Sequence, residues 1–175
     1  MAKKKKNNED LDFKVGDTLV RFGRVYRIFK VKNKKVNGNK QKLIYFKAVY
    51  PKDHHSQVTC SIPIDNMSKT TIRKPFAKAD LKKILKRFRR TPRNKKKINV
   101  KYAKEALKDN SLEKMAQFIR RLWREKQDPE INFSTTKKRL FSSFINRIKE
   151  ELAYVLDLNP DQAKKKIMLS LEKSS

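Results

Sequence analysis

The sequence predicts an α+β chain: a small, strongly bent β-sheet or barrel at the N-terminal side, followed by a five-helix bundle. Three observations predict it. Apolar residues recur with a period near 2 between Phe13 and Ile72, and with a period near 3.6 from Ala77 onward. Turn signals punctuate the first part at short intervals, at Val15-Gly16-Asp17 and Asn37-Gly38-Asn39. Helix starts punctuate the second, at Ser111, Ser134 and Asn159-Pro160. With 37% hydrophobic residues in 175, the core is modest or divided between two small cores.

Taken in order, Met1 to residue 11 is a polar, basic tail with too little apolar surface to order itself. It reads either as a solubilising tail or as a weak phosphate-contacting arm. Residues 12–73 form the β domain. Asp17 to Val20 is a short strand. Arg24 to Val31 alternates, but both of its faces are partly apolar, which predicts a bent strand or one buried on both sides. Leu43 to Tyr50 places Ile44, Phe46, Ala48 and Tyr50 on one face. Pro51 to His55 is a polar loop, and Val58 to Ile62 is a further strand stopped by Pro63.

Residues 74–175 form the helical domain. Ala77 to Phe88 sets Leu81, Ile84, Leu85 and Phe88 at helical spacing and ends at Thr91-Pro92. Asn99 to Asp109 is short and weakly amphipathic. From the N-cap Ser111 runs the stripe Leu112, Met115, Ala116, Ile119, Leu122, Trp123. The fourth helix, from Ser134, carries Leu140, Phe141, Phe144, Ile145, Ile148 and Leu152 and is the longest spine. The fifth turns Ala163, Ile167 and Leu171 inward.

Charge narrows the function. Lys plus Arg number 47 against 18 Asp plus Glu, a formal net charge of +29. Self-repulsion on that scale opposes compaction unless an anionic partner offsets it, and nucleic acid is the first candidate. An anionic membrane surface is second and acidic proteins third. No run of about 18 apolar residues exists to span a membrane. The lysines at 3–6 are followed by Asn7-Asn8-Glu9-Asp10 instead of an apolar segment, so export is not expected. Cys60 has no second cysteine, and His54-His55 are the only histidines, so neither a disulfide nor a metal site is expected. With glycine only at 16, 23 and 38, no phosphate loop exists, and no catalytic triad spacing is visible. The expectation is a non-enzymatic cytoplasmic protein, without cofactor or small-molecule substrate, and a monomer.

The charge is concentrated. Leu81 to Lys104 holds twelve Lys or Arg and no Asp or Glu. Like charges at i,i+4, such as Lys82 with Lys86, weaken a helix slightly unless a partner neutralises them. A solvated face is one reading. A phosphate grip is the other, with Arg89, Arg90, Arg93, Lys95, Lys96, Lys97 and Lys101 as the contacts. Such contacts carry little base specificity. Ile98 reads as a small staple packing onto the second helix. Trp123 reads as core more readily than as a base-stacking platform.

The residues also resemble a family. Phe13-Lys14-Val15-Gly16-Asp17-Thr18-Leu19-Val20 is similar to the opening of the CarD family of bacterial transcription regulators. The resemblance continues through Ser61-Ile62-Pro63, Thr71-Ile72-Arg73, the DLKKILKRFRR helix beginning at Asp80, Leu122-Trp123-Arg124, Phe133-Ser134, Lys137 to Leu140, and Glu150 to Ala153. It implies a Tudor-like β domain that binds the RNA polymerase β subunit. It also implies a helical domain at the upstream edge of the transcription bubble that stabilises the open promoter complex. The family's basic polymerase contacts then fall near Lys34 and on Ser61, and docking through the strands adds Ile44 and Phe46. The family's aromatic wedge falls at Ile98 when the chain is aligned on Tyr102, the preferred register, and at Lys96 when it is aligned on Trp123 without a gap; for Ile98 the wedge and the staple are evenly weighed. Two departures stand out. Arg21-Phe22-Gly23-Arg24 is shorter than the family's first turn, and Ile98 lacks the ring of the family's tryptophan. The alternative function is a ribosome-associated RNA-binding protein.

Overall fold

The computed structural model describes residues 13–36, 39–50, 58–67, 70–92, 97–108 and 111–173. The basic tail, the Asn37-Gly38 turn, the Pro51–His55 loop with both histidines, and Arg93, Lys95 and Lys96 lie outside the described residues. The chain divides into two compact units, Met1–Pro75 and Phe76–Ser175.

The first unit is a four-stranded antiparallel meander in the order β1-β2-β3-β4. Its strands are β1 (Thr18–Arg21), β2 (Arg24–Val36), β3 (Asn39–Ala48) and β4 (Thr59–Pro63). Before β1, Gly16 adopts φ +95°, and the Asp17 N–H donates to the Lys14 carbonyl at 3.1 Å. This is the left-handed corner that glycine tolerates. β1 turns into β2 through Phe22 and Gly23, both at positive φ, with Arg21 paired to Arg24. The shortened first turn is therefore a two-residue hairpin of the kind that matches strand twist. Phe22 bears the backbone cost, and the Arg21 guanidinium lies 5.3 Å from its ring centre.

The two apolar faces of β2 have a simple cause. Ile28 pairs with Phe46 but Lys30 pairs with Tyr45, so Phe29 is an extra residue in the ladder. This bulge moves the inward face by one position. Tyr26 and Ile28 face the core before it and Val31 after it. The core itself is Phe13, Leu19, Ile28, Ile44, Phe46, Ile62, Met67 and Ile72, with Cys60 packed against it. The rings of Tyr26 and Phe46 meet edge to face at 5.2 Å.

The second unit holds α1 (Lys78–Phe88), α2 (Val100–Lys108), α3 (Leu112–Gln127), α4 (Thr135–Leu156) and α5 (Pro160–Glu172). Ser111 and Ser134 accept the backbone N–H groups of Lys114 and Lys137. Asn159 and Gln162 form a reciprocal capping box at α5. α4, at 22 residues, packs against each of the other four helices. It ends where Asp157 takes φ +54°, letting the Leu158 N–H reach the Ala153 carbonyl at 2.8 Å. Phe118 stacks on Phe144, and Trp123 stacks on Phe141. Trp123 is buried, as the core reading expects.

Candidate nucleic-acid interface

Leu81, Ile84, Leu85 and Phe88 anchor α1 in the core of the bundle. That fixes the rest of the helix: Lys82, Lys83, Lys86, Arg87, Arg89 and Arg90 are all exposed. α1 carries its bases in its last turn, the end where cations stabilise the helix dipole. Beyond Pro92 the chain is described again from Lys97. Lys97 is exposed, and so are Lys101, Tyr102 and Lys104 on the first turns of α2. Tyr102 is 67% exposed, a rare exposure for a ring in this molecule.

The backbone beneath these cations is pinned from α3. The Arg120 guanidinium donates to the Arg90 carbonyl through Nε at 2.8 Å and also through Nη2. Arg121 Nη2 reaches the Lys97 carbonyl at 3.5 Å. The Ile98 N–H donates to Glu125 Oε1 at 2.5 Å. Asn99 Oδ1 then accepts the N–H groups of Lys101 and Tyr102, satisfying two of the donors at the start of α2.

Glu125 is the central residue of this arrangement and is fully buried. Its second oxygen accepts from Lys137 Nζ at 2.6 Å. One carboxylate thus ties the entry of α2 and α3 to the first turn of α4. A buried carboxylate is tolerated only when paired and hydrogen-bonded, and both conditions are met. Glu151 repeats the device: it is buried and accepts the Phe76 N–H, just ahead of α1, at 2.6 Å. Sequence reasoning did not place Glu151 in the core, where the structure puts it. Its spacing carries the missed signal. Glu151 is three residues after Ile148 and Glu125 is three after Leu122, so each acid continues an apolar stripe.

The predicted site residues divide. Arg89, Arg90, Lys97, Lys101 and Tyr102 are exposed and lie on one run of chain. Ile98 is 5% exposed, its side chain within the core. A buried side chain is not offered to a groove, so the staple reading describes its packing and the wedge reading does not. In the first unit, Ile44 and Phe46 have no exposed surface and sit on β3, which β2 and β4 flank. Both are core side chains on a stretch of β3 that is paired on both sides, so neither side chain is offered to a partner in this structure. Lys34 and Ser61 are exposed, and Ser61 lies on β4, the last strand of the sheet.

Also missed were Arg120 and Arg121, which belong to α3 and lie outside the basic run. Their adjacency to Arg87 and Arg90 appears only once α1 packs on α3. These four arginines line an open cleft of about 520 Å³. Burial, and after it the charges of Arg90 and Arg87, hold the Arg120 guanidinium below its usual pKa.

A bundle with exposed cations at the α1–α2 junction thus follows a small antiparallel sheet in the chain, and no described helix is long and apolar enough to cross a membrane. The profile of the CarD C-terminal domain matches residues 80–168, half of the chain. The chain belongs to the CarD family of transcription regulators. No curated protein sequence matches it.

Proposed function

We propose that this chain regulates transcription by holding promoter DNA with its helical unit while its β unit docks on the β subunit of RNA polymerase. The observation that carries the reading is the α1–α2 junction. It lies inside the family match, and its exposed cations Arg89, Arg90, Lys97 and Lys101 sit on backbone pinned by α3. Arg93, Lys95 and Lys96 belong to the same continuous run of sequence and extend the grip. Lysine and arginine contacts to phosphates give salt-dependent affinity with little sequence preference.

Ile98 serves this grip as its anchor. The aromatic face passes to Tyr102, exposed beside Lys101 and able to lie against distorted base steps at the bubble edge. Such contact slows bubble collapse. On the β unit, the polymerase contact passes from the buried Ile44 and Phe46 to the outer edge of β4 around Ser61, with Lys34 adding charge. An edge strand accepts a partner strand through its backbone groups. Tethering to polymerase raises the local concentration of the DNA-holding half, so weak intrinsic DNA affinity suffices.

The test is co-purification with RNA polymerase, followed by measurement of open-complex lifetime with and without the protein. The expected result is polymerase capture and a changed lifetime. Capture of ribosomes in place of polymerase, with lifetime unaffected, would overturn the reading.

A further inference from the structure

We propose that the cleft between the C-terminal end of α1 and the outer face of α3 is a phosphate-binding site, built from Arg87, Arg90, Arg120 and Arg121. It shares Arg87 and Arg90 with the linear basic run but extends beyond it, because its other two guanidinium groups come from α3. For phosphates of nucleic acid it deepens the DNA-holding reading; for a free polyphosphate it stands apart from it.

Four features point to an anion. Among the described residues, the lining sets four guanidinium groups against one carboxylate, Glu113. Glu113 does not neutralise them: its Oε1 stands 3.9 Å from Arg87 Nη1, and both side chains are largely exposed. Second, the cations repel one another, since Arg90 and Arg87 both help to lower the Arg120 pKa. Bringing an anion into the cleft relieves that repulsion.

Third, the local backbone has been made compatible with an anion. A helix C-terminus presents carbonyl oxygens and the negative end of the dipole, which disfavours negative charge. Here Arg120 covers the Arg90 carbonyl with two N–H groups. A guanidinium has five donors, so Arg120 keeps three for a ligand while its orientation is fixed. Fourth, planar guanidinium forks suit phosphate oxygens in a bidentate fashion. The cleft volume, about 520 Å³, accepts more than one phosphoryl group. Gln117, between Glu113 and Arg121 on the same α3 face, adds a neutral amide to the lining.

The probes are inorganic pyrophosphate, followed by calorimetry, and a short DNA duplex, followed by fluorescence anisotropy, each with the full chain. Arg87→Gln and Arg121→Gln are expected to weaken pyrophosphate binding by about three- to tenfold each. Glu113→Gln is expected to tighten it by about threefold, because an opposing charge leaves the rim. Arg87 and Glu113 are exposed, and their unchanged melting curves separate binding from folding. If duplex affinity falls in parallel and pyrophosphate displaces duplex, the site takes backbone phosphates. If only pyrophosphate binding falls, the site takes a free polyphosphate. The proposal is overturned if pyrophosphate does not bind saturably, or if it binds all three variants as it binds the parent. Loss of duplex binding in Lys97 and Lys101 variants, but not in cleft variants, would leave the DNA-holding reading intact while removing duplex as the cleft's ligand.

Discussion

Lys137→Met removes one member of the buried pair that holds the α2 entry. Glu125 is fully buried, Lys137 is nearly so, and the charges approach to 2.6 Å. At an effective dielectric near 20, charges that close attract by about 6 kcal/mol before desolvation is counted. Desolvation cancels much of that, so the pair itself adds little net stability. Breaking it is different. Methionine fills the space of the lysine stem but leaves a carboxylate buried with the Ile98 N–H as its remaining donor. The expected cost is about 3 to 5 kcal/mol, a large share of the total stability of about 5 to 15 kcal/mol usual for a domain. Urea unfolding followed by circular dichroism at 222 nm reads it, because the helical unit dominates that signal.

The double variant Glu125→Leu with Lys137→Met sharpens the test. With both charges gone, most of the loss should return. What stays is the orphaned Ile98 N–H, worth about 1 to 3 kcal/mol. A single-variant cost below about 1 kcal/mol, the level of an exposed ion pair, would refute the reasoning. It would mean that water reaches Glu125 and that the carboxylate does not pin the α2 entry.

Ile98→Ala should cost about 2 to 5 kcal/mol by the same unfolding assay, as truncation of a buried isoleucine does, whereas Tyr102→Ala should change stability by less than about 0.5 kcal/mol yet shorten open-complex lifetime; the reverse pattern would restore Ile98 as the DNA-facing residue. Replacing Lys97 and Lys101 together by Gln should lower the slope of log affinity against log salt by about 2, one unit for each lost phosphate contact; an unchanged slope removes both from the interface. Gly16→Ala should destabilise the β unit by about 1 kcal/mol, read as faster hydrogen exchange at the Ile28 amide that bonds the Asp17 carbonyl. An added Cβ at Gly16 meets nothing within 4 Å, so the cost comes from the backbone at φ +95° alone, and no change would show that the corner relaxes freely.

The five helices were legible because their caps and stripes are local. Ser111, Ser134 and Asn159 each bond the N–H three residues on, where the sequence places the starts. The strands were legible to within a few residues. β2 ran longer than its alternation showed, to Val36, because its outer half is a polar hairpin arm without an apolar face to count. The ambiguity over its two faces was real and came from the Phe29 bulge, a single residue that no periodicity separates from noise. The site was less legible. The cations of the basic run were visible from spacing, but whether Ile98 turned inward depended on Glu125, 27 residues away, and so on how α3 packs. That Ile44 and Phe46 are core was not legible for a related reason. An apolar alternating strand reads the same whether it is central or at an edge, and the order β1-β2-β3-β4 makes β3 central.

The distribution of acids bears on the same point. In a chain of 18 acids against 47 bases, two glutamates are buried among the described residues of the helical unit. Each takes a backbone N–H just ahead of a basic helix: Glu151 at Phe76 before α1, Glu125 at Ile98 before α2. A carboxylate on the surface beside the run would pair with its lysines, shorten their reach and weaken the field felt by a polyanion. A carboxylate in the core fixes the backbone under the run instead, and Glu125 has its charge compensated by Lys137, drawn from α4 and not from the run. The described bases between Leu81 and Lys104 are therefore exposed to solvent while the main chain at Arg90, Lys97 and Ile98 is held in place. Orientation of that kind lowers the entropy lost when the cations engage phosphates. The arrangement predicts that moving the acid outward is worse than deleting it: Lys101→Glu should weaken duplex binding more than Glu125→Leu with Lys137→Met, although only the second alters the core. Equal losses would mean that backbone pinning contributes as much as surface charge. A larger loss from the core variant would mean that pinning, and not surface charge, sets most of the affinity.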